Sequence, residues 1–228
     1  MKRKKVFYTE AAYLVGLVAL AIGTALMERA DFGMSMVVAP AYIVHLKLSQ
    51  TLPWFSFGMA EYCLQAVLLV ITAVVLRRFK ATYLFSFLTA VLYGLILDAS
   101  ILLVALIPEF GIAGRVTFFL LGLVIDAFAI SMLFHTYITP EAYELLVKEL
   151  AGYLNRDINK VKTVYDCCSC ATAIVLSFLF FGFGHFEGVK LGTVFCALIN
   201  GWMIGKISKR LERRFEFRDA LKRRIGAA

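Results

Sequence analysis

Six apolar runs, each long enough to cross a bilayer, constrain this chain more than any other feature. They cover roughly 11–27, 54–76, 81–107, 116–137, 163–184 and 188–205. A membrane-spanning helix needs ~20 mostly apolar residues. A helix in a soluble core would keep a polar face at a 3.6-residue period; these runs are apolar all round. A membrane β-barrel would read as short alternating strands, and none is present. The composition agrees: 61% of the 228 residues are hydrophobic and only 18% are charged, against ~25% charged in an average soluble domain. The expected fold is an all-α, six-span integral membrane helix bundle forming a single membrane domain over 1–228.

The net charge of +8 raises nucleic acid as a partner, but its distribution argues against that. Lys2, Arg3, Lys4 and Lys5 precede the first run, and Arg77, Arg78 and Lys80 follow the second. Lys148, Arg156, Lys160 and Lys162 lie between the fourth and fifth, and nine more, from Lys206 to Arg224, follow the sixth. Only Arg29, Lys47, Arg115 and Lys190 fall on the other side. The positive-inside rule then places both termini in the cytoplasm. The first run follows a basic start but has no A-x-A-type cleavage site after it, so an uncleaved helix is expected.

Two shorter segments punctuate the spans. "GMSMVVAPAYIVHLK" (33–47) is apolar but too short to cross, so it reads as re-entrant or interfacial. Gly33 would break the first helix, Ser35 would cap a new one, and Pro40 would fall inside it and kink it. In 138–162, Thr139 reads as an N-cap, Pro140 as the first helical residue and Glu141 as an acid at the positive helix end. Ala142, Leu145, Leu146, Leu150 and Tyr153 follow at helical spacing. The tail 208–228 alternates basic residues with Leu211, Phe215, Leu221 and Ile225. It reads as a basic amphipathic helix on an anionic leaflet, or as a docking helix for a partner.

The two halves, 1–107 and 108–207, resemble each other weakly. A shift of about 106 residues lays "GLVALAIGTALM" (16–27) over "GLVIDAFAISML" (122–133), and "EYC" (61–63) over "DCC" (166–168). Three spans repeated in tandem must be inverted, so a 3+3 inverted-topology repeat is expected. Such repeats place a substrate site at their interface near the midplane.

Ionisable residues inside spans are functional candidates by default. Asp98 and Asp126 flank the short third-to-fourth loop at one depth, ~14–15 Å below the surface at 1.5 Å rise per residue. As neighbours they would share a proton, because like charges side by side resist double ionisation, or bind a cation; alternatively each would hydrogen-bond separately to backbone or hydroxyl groups. Glu61 and Asp166 are repeat partners, one near each mouth; Asp166 also reads as a first-turn acid stabilised by its helix dipole. Arg29 would pair with Glu61, meet an anionic substrate, or belong with Glu28 and Asp31 to an exposed surface cluster. His135 reads as structural, or as a residue of the basic-side mouth. Asn200 would hydrogen-bond between helices.

"YDCCSC" (165–170) holds three cysteines, but 167, 168 and 170 point to different helix faces. No metal or other cofactor is expected, even with Cys63 and Cys196 counted. No P-loop, H-E-x-x-H or G-x-S-x-G motif is present, so an enzyme is not expected.

"DFGMSMVVAPAYIVHLKLS", "FSFGMAEYCLQAVLL", "SFLTAVLYGLILD", "VKTVYDCCSC" and "GVKLGTVFCALINGW" resemble the YczE/YyaS/YitT-like group of bacterial membrane proteins over nearly the whole chain. The resemblance implies a small polytopic protein of the bacterial inner membrane, without a known substrate. The leading expectation is a secondary transporter of a small solute or ion. The alternatives are a substrate-capture subunit of an energy-coupling transporter and an accessory protein acting through the tail. Lipids are the expected surroundings; homodimerisation is left open.

Overall fold

The computed structural model describes residues 5–108, 111–139, 141–156, 158–184 and 186–220. Lys2, Arg3, Lys4, Pro140 and the tail beyond 220 lie outside the described residues. Eight helices follow a short strand β1 (Lys5–Tyr8): α1 (Thr9–Ala30), α2 (Ala39–Leu48), α3 (Phe57–Val75), α4 (Ala81–Ala105), α5 (Ile112–Leu133), α6 (Ala142–Leu154), α7 (Ile158–Phe181) and α8 (Leu191–Arg214). A strand β2 (Phe215–Arg218) pairs parallel with β1. The fold is an all-α membrane bundle. α1, α3, α4, α5, α7 and α8 are long and apolar enough to span a bilayer, and their outward side chains, such as Leu102, Val74 and Leu198, are exposed as lipid-facing residues must be.

α1 and α5 are the most buried spans and form the central pair. With no hydrophobic drive between helices in lipid, close association depends on small residues that let backbones approach. Here those are Gly23 against Gly122, and Gly16 against Ala129 and Leu133. The contacts run in opposite directions along the two chains, so the helices are antiparallel. α4 packs on α1, and α8 packs on α5.

α2 and α6 are the short helices expected after spans one and four. The chain entering α2 is buried from Met36 to Ala39, and the chain entering α6 is buried from Glu141 to Tyr143. Both helices therefore start inside the bundle and run outward. α2 packs on α7 and α3; α6 packs on α3 and α7. Gly33 makes the turn before α2 with φ +110°, and a side chain there would meet Thr193 and the backbone of Lys190.

Several local expectations are corrected. Pro40 sits in the first turn of α2, where its missing N–H costs nothing, so it does not kink the helix. Ser35 contributes its backbone carbonyl, which accepts from Val38 and Ala39, and α2 has no side-chain cap. The residue before α6 is Glu141; Thr139 instead accepts at its carbonyl from the Thr89 hydroxyl. Tyr153 is exposed, and the buried face of α6 is Ala142, Tyr143, Leu145, Leu146 and Val147. In the described part of the tail, 208–220, α8 continues to Arg214 in place of a separate helix, and 215–218 form β2, packed through Phe7 against Phe215 and Phe217; the expectation for 221–228 lies outside the described residues. α4 and α5 are not packed neighbours despite their short connection, because α1 packs against both.

Candidate functional site

The inward face of α3 carries Phe57, Glu61, Gln65, Leu69 and Thr72, spaced by three or four residues, so they form one buried stripe. Glu61 and Gln65 are 0% exposed. The buried start of α6 meets this stripe. Gln65 accepts from the Ala142 N–H at 3.0 Å through Oε1, satisfying one of the unpaired donors of a helix start. Its Nε2 donates to Glu61 Oε2 at 3.5 Å and to Glu141 Oε2 at 3.3 Å. The Tyr143 hydroxyl donates to Glu61 Oε2 at 2.7 Å. One amide thus bridges two carboxyls from different helices.

The remaining oxygens, Glu61 Oε1 and Glu141 Oε1, are buried without a hydrogen-bond partner among the described residues. Neither carboxyl takes part in an ion pair among those residues. Burial holds the Glu141 carboxyl well above the ordinary carboxylate range. Repulsion from Glu144, then Glu61, adds to this; the Gln65 bond opposes it; Asp126 adds a further smaller push. Tyr93 is fully buried nearby and hydrogen-bonds Thr24 at 3.0 Å. Tyr13 pairs with Thr89 at 2.9 Å.

A second buried acid lies at the α1–α5 contact. Asp126 is 3% exposed, and its Oδ1 has no partner among the described residues. It fills the space left by the absent side chain of Gly23. Cys196 of α8 is within its electrostatic reach. Asn200, one turn further along α8, is 4% exposed with its amide oxygen unpartnered.

The other sequence candidates go elsewhere. Asp98 does not meet Asp126. It accepts from Ser56 Oγ at 2.6 Å and from the Gly58 N–H at 2.8 Å, so it is a hydrogen-bond acceptor at the amino terminus of α3. Asp166 lies in the third turn of α7, not the first, so the helix-dipole reading fails. It shares Lys162 with Glu144, each at 3.4 Å. Arg29 donates to the Ile107 carbonyl at 3.1 Å, and no bond joins it to Glu61 among the described residues. His135 is tied to the Ser131 carbonyl and to Glu212, and stacks on Phe217 with ring centroids 4.5 Å apart, far along α5 from Asp126. Among the described residues no three His, Cys, Asp or Glu side chains are grouped to hold a metal.

Glu141, Gln65 and Tyr143 are the residues that sequence reading missed. The sequence places Glu141 in the first turn of a helix, where an acid already has a local explanation in the helix dipole. The available signal was Gln65, one turn after Glu61 and polar within an apolar span.

These features define a multi-pass membrane protein whose bundle encloses carboxyl groups that have no cationic partner among the described residues. The chain belongs to the family of unknown function DUF6198, which it matches over residues 7–209; the match carries no YczE/YyaS/YitT name. No curated protein and no solved structure matches the chain.

Proposed function

We propose that this protein is a secondary transporter of a small solute or ion rather than an enzyme, residing in the bacterial inner membrane with both termini cytoplasmic. The observation that carries the reading is the enclosure of Glu61, Glu141 and Asp126 within a membrane bundle, with no cationic side chain paired to them among the described residues. An intramembrane carboxyl costs several kcal/mol as an unpaired anion. Such a group is retained where it binds and releases a proton or a cation during a transport cycle.

Internal symmetry supports the same reading. The shift of about 106 residues carries Gly16 onto Gly122 and Gly23 onto Ala129. The Gly23–Gly122 contact and the Gly16–Ala129 contact are then images of each other. The packing of α2 on α7 is likewise the image of α6 on α3, and α1 on α4 that of α5 on α8. An inverted repeat of this kind gives two alternative packings of similar energy, the physical basis of alternating access. At the end opposite the basic loops, Asp31 pairs with Arg115 at 3.0 Å and also with Lys190. We read that cluster as the closed outer gate.

The test is uptake into proteoliposomes under an imposed pH gradient, with a panel of small cationic, zwitterionic and anionic solutes. Uptake by wild type that is lost in Glu61→Gln supports the reading. A panel that never moves, or uptake indifferent to Glu61→Gln and Asp126→Asn, sinks it.

A further inference from the structure

We propose that Glu61 and Glu141 act as one proton-binding pair, holding a single proton between them and exchanging it with a cavity at the α6 end of the bundle. The proposal rests on the transport reading above and deepens it, naming the coupling ion as the proton and the pair as its carrier.

The donor inventory leads to this. Gln65 Nε2 faces one oxygen of each carboxyl, and Tyr143 gives its only proton to Glu61. The two Oε1 atoms receive nothing among the described residues. Two ionised carboxylates sharing one amide donor in a buried site would repel each other and remain under-solvated. Adding one proton supplies the missing donor and removes one charge together. A metal ion is a poorer fit, since two free oxygens fall short of the coordination that hard cations take.

The groups facing the pair leave the charge uncompensated. α1 brings the Tyr13 phenol, α4 the Tyr93 phenol and α5 the Asp126 carboxyl, none of them a cation. α6 brings Tyr143 and Glu144; α7 brings Tyr165, Asp166 and Lys162. Lys162 is the cation among them and is held by Glu144 and Asp166. α2 contributes His45, which is turned to the Phe55 carbonyl.

A cavity at the α6 end supplies the candidate solvent route. It has a volume of about 400 Å³ and is lined by Thr139, Glu144, Leu145 and Lys162 among others. Thr139 and Glu144 lie two residues before and three residues after Glu141 in the chain. Protonation forms an O–H bond on the pair as a hydronium ion in the cavity gives up its proton and becomes water; release reverses this.

The experiment is an infrared pH titration of the full chain in lipid vesicles, reading the carbonyl stretch of protonated carboxyls. In wild type the pair titrates in two separated steps, as coupled acids do. In Glu61→Gln the Glu141 step moves to lower pH by at least about one unit, a tenfold change in proton affinity, because one source of repulsion is gone. A Glu141 step at the same pH in both proteins overturns the pairing. If Glu61→Gln fails to fold, Tyr143→Phe keeps both carboxyls and removes one donor. The pair's first deprotonation must then move to higher pH, and an unmoved titration overturns the proposal. Thr82→Trp at the cavity wall slows the response to a pH jump about tenfold; an unchanged rate overturns the route. Coupled titration without solute uptake would leave the pair standing and remove the transport reading. Gradient-driven uptake without coupled titration would do the reverse.

Discussion

Asp126 occupies the space that a side chain on Gly23 would need, so the carboxyl and the glycine specify each other across the α1–α5 contact. Gly23→Ala must push the carboxyl or the helix aside. We expect a loss of about 1–3 kcal/mol, the usual cost of overpacking, seen as a lower unfolding temperature in detergent. Asp126→Ala added to Gly23→Ala should recover part of that loss. A double variant no more stable than Gly23→Ala would place the clash between the Gly23 and Gly122 backbones instead.

Asp98 is expected to be structural. Asp98→Ala removes an acceptor of the Ser56 hydroxyl and the Gly58 N–H at the start of α3. The expected cost is about 1–2 kcal/mol, as for other helix caps, with the pH dependence of any solute uptake unchanged. A variant of normal stability whose coupling is lost would return Asp98 to the functional site.

Lys162 balances two half-buried acids, Glu144 and Asp166. Removing one partner of such a cluster leaves charge uncompensated, at about 3 kcal/mol. Lys162→Met should therefore destabilise strongly, and Glu144→Gln with Asp166→Asn in the same chain should restore much of the loss. Equal thermal stability of Lys162→Met and wild type would argue that the cluster is already neutral.

Glu141 gives stability a pH dependence whose sign can be worked out. Its carboxyl is held well above the ordinary value of 4.5 in the folded protein. The folded state therefore binds more protons than the unfolded state once pH rises past that value, and the Glu141 contribution falls with further rise. The slope is at most about 1.4 kcal/mol per pH unit. Relative to wild type, Glu141→Gln should gain stability as pH rises above the ordinary carboxylate value of 4.5 in a denaturation series, whereas a constant difference would mean that Glu141 is ionised in the fold.

What the sequence made legible follows from what is one-dimensional. The six spans lie close to the helices observed, because hydropathy and length decide insertion without reference to neighbours. The short helices after spans one and four are legible from local signals too: 33–47 is an apolar stretch too short to cross, and 138–162 carries helix-start residues followed by apolar residues at helical spacing.

Which helices touch is not one-dimensional. The short third-to-fourth connection implied that α4 and α5 pack together, and with them Asp98 and Asp126. α1 packs against both, and the two acids part. The chemistry expected of that pair, two carboxyls sharing a proton, reappears in Glu61 and Glu141, which are 80 residues apart in sequence. Only the re-entry of α6 brings them together. The strand pairing of Lys5–Tyr8 with Phe215–Arg218 had no sequence signal either, since each segment is four residues long and depends on the other.

The most direct test of the central claim is charge movement on a solid-supported membrane carrying the protein in proteoliposomes. A pH step without solute should displace charge in wild type as protons enter the buried carboxyls, and a solute that is transported should convert the transient into a sustained current. Glu61→Gln should abolish the sustained current and move the pH-step displacement to lower pH, while keeping the wild-type unfolding temperature to within a few degrees. A displacement with the same size and pH dependence in wild type and Glu61→Gln would contradict the account.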